Sequence, residues 1–136
     1  MVSAERSASI KRESAVAFSG DGKTLVAGGQ VTGGSAKALV NRVCLWNVET
    51  GKLLQTLPQH RPGYVTTVAF SPDGRTMAYS GYGAYGNARL WDVEKKAVVR
   101  TLLKDAHIWD MALAFSPDGK IATGSSYGAV KLWRVR

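Results

Sequence analysis

The chain has 136 residues, of which 45% are hydrophobic and 21% charged, a balance that is typical of one globular domain and excludes a disordered chain. Its formal net charge is +8, but the basic residues are scattered, so we expect a solvated surface rather than a nucleic-acid footprint. The single cysteine, Cys44, excludes an intramolecular disulfide. The sequence has no long apolar run and no signal-peptide core, so we expect a cytoplasmic protein without a membrane span.

Three copies of one pattern recur along the chain, each with a phenylalanine followed by Ser, then Gly or Pro, then Asp and Gly. The phenylalanines are Phe18, Phe70 and Phe115, and each copy is followed by a Leu-Trp pair that ends at Trp46, Trp91 or Trp133. Phe70 lies 24 residues after Trp46, and Phe115 lies 24 residues after Trp91. The separation from each Phe to its own Trp varies instead, from 28 to 21 to 18 residues. A constant separation indicates a segment fixed at both ends, whereas the variable segment contains a free loop.

Each copy predicts four short antiparallel strands, which we call a, b, c and d in chain order. In the first copy, strand a ends at Phe18, and a long b–c loop rich in Gly, Ser and Thr is expected from Gly29 to Arg42. In the second copy, strands a to d are predicted at 67–70, 76–79, 87–92 and 97–102, with a Pro-Asp-Gly turn after strand a. The third copy ends on strand c at Trp133. No segment has helical periodicity, so we predict an all-β fold.

The period of about 45 residues, the four strands, the Phe-Ser-Pro-Asp-Gly turns and the Leu-Trp-Asp pattern closely resemble the WD-repeat β-propeller family. The resemblance covers residues 13–136 and implies β-propeller blades of four antiparallel strands, three blades per chain. It places repeat 1 at 13–57, repeat 2 at 58–102 and repeat 3 at 103–136, the last without its own strand d. It also implies that the Trp of strand c packs beneath the neighbouring blade. The repeat signature consists of Phe18, Asp21, Gly22, Trp46, Phe70, Asp73, Gly74, Trp91, Asp92, Phe115, Asp118, Gly119 and Trp133.

The chain departs from the family pattern at its polar positions. Only Asp92 supplies the family's Asp after the Trp, whereas Asn47 and Arg134 stand at the other two positions. The b–c turns carry no Asp, and His60 and His107 lack the Gly that precedes the family's His. We therefore expect the family's side-chain network of Asp, His and Trp to be broken in all three blades.

Three blades are too few for a closed propeller, which has about four to eight. The chain would have two open flanks and an unpaired strand edge, and unpaired edges attract other chains. The constant Trp–Phe spacing, carried backwards, places a leading strand d near residues 1–5, so the N-terminal segment 1–12 is a candidate strand d for another blade. Ile10 is the alternative over a shorter loop. Two interpretations remain open: head-to-tail closure between chains, with a two-chain ring favoured, or a truncated fragment of a larger multi-blade propeller protein.

Two glycine motifs have spacings found at nucleotide sites, but the repeats explain both. Residues 17–24 fit a relaxed phosphate-loop pattern, and Gly81 to Gly86 fit the spacing of a dinucleotide fingerprint. Those motifs lead into a helix, whereas here a strand follows, so we interpret 81–86 as a b–c loop. His60, His107 and Cys44 lack metal-ligand spacing. We therefore predict no cofactor, no metal site, no enzymatic activity and a buried, inert Cys44 thiol.

The strand order sorts the connections onto two ends of each blade. The a–b and c–d turns lie at one end, which we call the turn face, and the d–a and b–c loops lie at the other, which we call the loop face. The loop face is rich in Tyr, Trp and Arg, the residue types enriched in binding hot spots. Its candidate partner-binding residues are His60, Arg61, Tyr64, Tyr82, Tyr85, Trp109 and Tyr127.

Because WD-repeat propellers mostly serve as rigid platforms, the resemblance implies a non-catalytic protein–protein interaction scaffold. We expect it to bind other proteins through the loop face and to self-associate as a homo-oligomer through its open blade edges. One alternative is a nucleic-acid-binding module that uses the basic surface, although nucleic acid is the less favoured partner. The other is a fragment whose missing blades a longer chain supplies. No membrane partner is expected.

Overall fold

The computed structural model describes residues 10–32, 39–57, 63–83, 88–102, 112–124, 128 and 130–135. Those residues form eleven β-strands and no helix, which confirms the all-β prediction, and so they contain no helix that could cross a membrane. The first four strands are β1 (Ile10–Phe18), β2 (Thr24–Thr32), β3 (Leu39–Asn47) and β4 (Leu53–Thr56). The next four are β5 (Gly63–Phe70), β6 (Thr76–Gly83), β7 (Arg89–Asp92) and β8 (Ala97–Thr101). The last three are β9 (Ala112–Phe115), β10 (Ile121–Gly124) and β11 (Val130–Trp133).

The strands form three separate antiparallel sheets, one for each repeat. β1 to β4 make the first sheet, β5 to β8 the second, and β9 to β11 the third, and neighbours in the chain are neighbours in the sheet. This is the arrangement of propeller blades, and the four-strand order a to d is confirmed in blades 1 and 2. The segment 1–9, which includes the expected leading strand d, lies outside the described residues. Ile10, the alternative for that strand, begins β1 and pairs with β2.

Strands β2, β3 and β6 are longer than the sequence predicts. β2 and β3 remain paired out to Thr32 opposite Leu39, so the loop predicted from Gly29 to Arg42 is wrong at both ends. The loop predicted at 81–86 is wrong at its start, because β6 continues through Gly83, where it pairs with β5 and not with β7. Ladder hydrogen bonds use backbone N–H and C=O groups, so a sheet can extend through glycines that carry no hydrophobic pattern.

The a–b turns share one hydrogen-bonded construction. In blade 1, Ser19 Oγ donates to Asp21 Oδ1 at 2.6 Å, and the same oxygen accepts the Lys23 N–H at 2.9 Å. Gly22 has a φ of 72°, a left-handed conformation that glycine adopts without strain. The bond between serine and carboxylate recurs in blade 2 and blade 3, from Ser71 to Asp73 and from Ser116 to Asp118. All of these contacts lie within a few residues of one another, so the turn is specified locally.

The hydrophobic core lies between blades, because each sheet presents apolar side chains on both faces. Successive residues of a strand point to opposite faces. The blade 1 face that contacts blade 2 carries Val26, Val43 and Leu45, and the opposing face carries Val65, Val68, Met77, Tyr79 and Trp91. A second core between blades 2 and 3 contains Ala78, Ala88, Leu90 and Ile121. Since Ala78 and Tyr79 enter different cores, blade 2 is buried on both faces.

Gly28 allows blade 2 to approach blade 1 closely. A Cβ atom built at Gly28 would lie 2.5 Å from Val65 Cγ1, far inside the contact distance of two carbon atoms. The corresponding residue of blade 3 is Gly124, since each of these glycines pairs with the alanine three residues before the phenylalanine of its repeat. A Cβ atom at Gly124 would meet only Ala112 Cβ, at 3.9 Å. The two glycines therefore differ in what faces them.

We predict that Gly28→Ala lowers the free energy of unfolding by about 1–3 kcal/mol, because the added methyl group must displace β5. Gly124→Ala is the matched control. It should leave the stability unchanged or raise it by up to about 1 kcal/mol, since it only removes glycine's extra backbone entropy. Urea unfolding followed by tryptophan fluorescence measures both variants. Equal effects of the two substitutions would contradict the close approach of β5 to Gly28.

Candidate functional site

Two of the predicted partner-binding residues lie side by side at the loop end of blade 2. β5 begins at Gly63 and β6 ends at Gly83, and Tyr64 and Tyr82 are Cα partners in that pair of strands. Both residues are therefore held by the sheet rather than by a loop. The other predicted residues, His60, Arg61, Tyr85, Trp109 and Tyr127, lie outside the described residues and remain predictions.

A cleft of about 490 Å³ lies on the turn face, between blades 2 and 3. Ser71, Pro72, Asp73 and Thr76 of blade 2 line one side, and Phe115, Pro117, Asp118, Gly119, Lys120, Arg134 and Val135 of blade 3 line the other. The sequence does not predict this cleft, because its lining comes from turns about 45 residues apart that only blade packing brings together. The serine that follows each phenylalanine predicts the individual a–b turns, but it does not predict that two of these turns lie together.

The cleft carries both signs of charge. Its charged residues are Asp73, Asp118, Lys120 and Arg134. Lys120 Nζ lies 2.7 Å from Asp118 Oδ2, and this exposed pair is screened by solvent. The hydrogen bond from Lys120, followed by that from Ser116, lowers the pKa of Asp118 from 3.8 to about 2. The balanced charges give the cleft no preference for ligands of one sign.

In blades 2 and 3, the tryptophan of strand c contacts strand d of the blade before it. Trp91 Nε1 donates to Gln55 Oε1 at 3.0 Å, and Gln55 Nε2 donates to the Val93 carbonyl oxygen at 2.8 Å. Arg100 occupies the position of Gln55 in blade 2, since they pair with Leu90 and Leu45 respectively. We call this contact the strand-d clasp.

The clasp of blade 2 uses a cation instead of an amide. The Arg100 guanidinium lies 5.9 Å from the ring centroid of Trp133, within the range of a cation–π contact, and Nη1 donates to the Arg134 carbonyl oxygen at 2.7 Å. Trp133 Nε1 donates to Thr123 Oγ1 at 3.0 Å. Both indoles therefore have acceptors, although the sequence lacks the b–c-turn Asp and the Gly-His pair of the family's side-chain network.

Asn47 stands where the family pattern has Asp after Trp, and it keeps the hydrogen bond that the Asp makes in the c–d turn. Asp92 Oδ1 accepts the Lys95 N–H at 2.8 Å in the c–d turn of blade 2. Asn47 Oδ1 accepts the Thr50 N–H at 2.9 Å in the c–d turn of blade 1. An amide oxygen and a carboxylate oxygen are equivalent acceptors here, so Asn replaces Asp without loss of the turn.

The face of blade 1 that points away from blade 2, which we call the leading face, is exposed at Val16 and Phe18 but buried at Ala27, Cys44 and Trp46. Its described residues include Val16, Phe18, Leu25, Ala27, Cys44 and Trp46. Val16 and Phe18 are 61% and 62% exposed, whereas Val68, the counterpart of Val16 in blade 2, is 8% exposed. The sequence of strand a is similar in each repeat, so the missing neighbour accounts for the difference.

Blade 3 exposes the face that would meet a following blade, which we call the trailing face. Its described residues are Ala112, Ala114, Ala122, Gly124, Val130 and Leu132. Leu132 is 70% exposed, whereas its counterpart Leu90 in blade 2 is 1% exposed. Val130 and Leu132 on this face, like Val16 and Phe18 on the leading face, therefore lack the covering that their counterparts in blade 2 have.

The Cys44 thiol is buried on the leading face, as the sequence predicted. Burial raises the pKa of Cys44, and its Sγ lies 3.8 Å from Thr56 Oγ1. A raised pKa keeps a thiol protonated and unreactive at neutral pH. Within the described part of the chain, no group of three or more His, Cys, Asp or Glu side chains is arranged to hold a metal ion.

Comparisons with known proteins agree with this architecture. The family model described as WD domain, G-beta repeat matches residues 51–92 and 97–134, more than half of the chain. The chain is similar to the solved structure of U3-55K and to the crystal structure of the RRP9 WD40 repeats, each at 17% sequence identity with a TM-score of 0.71. Each likeness covers 91% of this chain and 36% of the solved chain. No curated protein matches the chain significantly. At this identity the solved structures show the fold.

The lowered pKa of Asp118 predicts a pH effect with a definite sign. Because the folded pKa of about 2 lies below the ordinary value of 3.8, the charged form stabilises the fold above about pH 4, and this contribution is lost as the pH falls through about 2. Lys120→Met should raise the pKa of Asp118 towards 3.8, and Ser116→Ala should raise it by less. NMR titration of the Asp118 carboxyl carbon measures both, and an unchanged pKa in Lys120→Met would contradict the assigned cause.

Proposed function

Since the chain belongs to the WD40-repeat family, we propose that it is a non-catalytic scaffold that binds other proteins through its loop face. The observation that carries this proposal is the pairing of Tyr64 with Tyr82 at the loop end of blade 2. Tyrosine offers a large contact area with little conformational entropy to lose, which is why it is frequent in binding hot spots.

Blade 2 is well suited to present such a pair. It is packed on both faces, against blade 1 through Met77, Tyr79 and Trp91 and against blade 3 through Ala78 and Leu90. The strand-d clasps add hydrogen bonds across each of its interfaces. A rigid platform lowers the entropy cost of binding, since its contact residues are already positioned.

Self-association through the open blade edges is the second part of the proposed function. It is supported by the exposure of aliphatic and aromatic side chains on the leading and trailing faces, including Phe18 and Leu132. Contiguous exposed apolar surface of this kind is rare on proteins that act as monomers and usually marks an interaction site.

The loop-face proposal is tested with the double variant Tyr64→Ser, Tyr82→Ser. Loss of one hot spot of about 2 kcal/mol weakens binding about thirtyfold, so loss of both tyrosines should weaken partner binding by about several hundredfold. Immobilised wild-type and variant chains are compared by quantitative mass spectrometry for the proteins they retain from the same lysate, and the dissociation constant is then measured for each protein that prefers wild type.

Lys95→Ala is the matched control for this experiment. Lys95 is exposed in the c–d turn at the opposite end of the same blade. We expect it to bind the same partners as wild type. Equal losses in the control and in the tyrosine variant, or no loss in either, would contradict a binding site at the loop face.

The alternative function is nucleic-acid binding, which the net charge of +8 favours. A site of this kind releases counterions, so its affinity falls steeply with salt. We expect no binding of single- or double-stranded DNA or RNA at about 50 mM salt, measured by fluorescence anisotropy. Binding with a strong salt dependence would replace the scaffold proposal by the nucleic-acid function.

A further inference from the structure

We propose that the turn-face cleft between blades 2 and 3 binds a short peptide segment of another protein, one that carries an acidic, an apolar and a basic side chain. The cleft lies at the opposite end of blade 2 from Tyr64 and Tyr82, so this site is separate from the loop face. Its volume of about 490 Å³ lies within the range of about 300–1,000 Å³ that is usual for ligand pockets, so it suits a ligand of a few residues.

A single residue of the a–b turn explains why the cleft lies between these two blades. In blade 1, the residue after the turn serine is Gly20, and a Cβ atom built there would lie only 3.1 Å from the Pro72 carbonyl oxygen of blade 2. In blade 2, the same position is Pro72 itself, which lines the cleft together with Pro117 of blade 3. A proline ring cannot approach the next turn as closely as glycine does, so a preformed gap remains between the turns of blades 2 and 3.

The a–b turn of blade 3 is also one residue shorter than that of blade 2. The Ser71 N–H donates to the Thr76 carbonyl oxygen, five residues ahead. The Ser116 N–H donates to the Lys120 carbonyl oxygen, only four residues ahead. Lys120 therefore takes the turn position of Thr76, and its ammonium group lies 2.7 Å from the Asp118 carboxylate on the cleft wall. This wall thus contains an ion pair that requires no charged group from a ligand.

Arg134 supplies a cation on the blade 3 side of the cleft. Its carbonyl oxygen accepts a hydrogen bond from Arg100 at 2.7 Å, which holds the main chain at this point. Its side chain lines the cleft, is exposed, and makes no ion pair with any residue that the structure describes. The counterpart in blade 2, Asp92, instead accepts an N–H of its own turn. A guanidinium can donate two parallel hydrogen bonds to a carboxylate, so Arg134 suits an acidic side chain of a ligand.

Asp73 supplies the opposite charge on the blade 2 side of the cleft. Its Oδ1 accepts hydrogen bonds within the turn from Ser71 Oγ at 2.6 Å and from the Arg75 N–H at 3.0 Å. A carboxylate has two oxygens and about four acceptor positions, so it can accept a further bond from the cation of a ligand. Asp73 and Arg134 therefore present opposite charges from opposite blades, and a ligand with one acid and one base matches both.

The cleft also offers apolar contacts to such a ligand. Pro72 and Pro117 stand on opposite walls, and Phe115 and Val135 line the cleft while they pack against the core between blades 2 and 3. An apolar ligand side chain that covers these groups gains the free energy of removing both surfaces from water. A peptide segment combines all three side-chain types on one chain. A nucleic acid is a poorer match, because its phosphates would meet the carboxylates of both turns.

The test is a selection from a phage-displayed library of random linear peptides. The library is first depleted on Arg134→Glu, which removes peptides that bind any other surface, and is then selected on the wild-type chain. The enriched peptides should carry an acidic, an apolar and a basic residue. Each is synthesised, and its dissociation constant is measured by fluorescence anisotropy.

Charge variants then identify which protein group meets which peptide group. Arg134→Gln removes the cation, and Asp73→Asn removes the anion but keeps the Oδ1 acceptor of the turn. Each should weaken peptide binding about tenfold or more, since a hydrogen bond between charged groups is lost. Exchange of the acidic peptide residue for lysine should restore binding to Arg134→Glu, an effect that a merely structural role of Arg134 does not produce.

Lys23→Gln is the matched control, because Lys23 is an exposed cation in the a–b turn of blade 1, outside the cleft. It should bind the peptides as wild type does, and circular dichroism confirms that each variant is folded. Three results would overturn the proposal: no peptide is enriched after depletion, Arg134→Gln and Asp73→Asn bind as tightly as wild type, or Lys23→Gln weakens binding equally. The double variant Tyr64→Ser, Tyr82→Ser should bind these peptides normally, so either site can fail without the other.

Discussion

Face-to-face burial between neighbouring blades is the constraint on which the rest of this structure depends. Each sheet is apolar on both faces, because alternate residues such as Ala78 and Tyr79 point in opposite directions and both are fully buried. A single blade cannot bury either face by itself, and hydrophobic burial supplies most of the stability of a folded chain. Stability therefore comes from the packing of blades in pairs, and the middle blade is packed on both of its faces.

Polar contacts then determine how the blades are positioned. The serine–aspartate turns shape the end of each hairpin within a few residues, whereas Gln55 and Arg100 reach across an interface to the next blade. The clasps tolerate a change of chemistry, from an amide to a cation, because both side chains can reach the tryptophan and a backbone carbonyl oxygen of the following blade. This tolerance explains how the chain keeps connected blades without the polar residues that its family usually carries.

The same constraint connects architecture with the proposed function. Blade 2 is packed against blades 1 and 3, and Tyr64 pairs with Tyr82 at its loop end. The packing restricts the movement of the strands that carry this pair. It also leaves Phe18 of blade 1 and Leu132 of blade 3 exposed, whereas their counterparts Phe70 and Leu90 in blade 2 are covered. The proposed partner binding at the loop end and the proposed self-association through the open blade edges are therefore separate uses of one repeat, and the first does not require the surfaces used by the second.

The sequence by itself determined the strands, the a–b turns and the blade architecture, because alternation and Ser-x-Asp-Gly chemistry act over a few residues. It did not reveal how far strands β2, β3 and β6 extend, since backbone pairing through glycines leaves no side-chain pattern. Only the tertiary structure decided which of three similar phenylalanines is exposed, that Gln55 and Arg100 are equivalent, and that two turns enclose a cleft. Phe18 and Phe70 stand in nearly the same local sequence, yet Phe18 is exposed and Phe70 packs against blade 1. Burial depends on what lies opposite a residue in space, and that neighbour is distant in the chain.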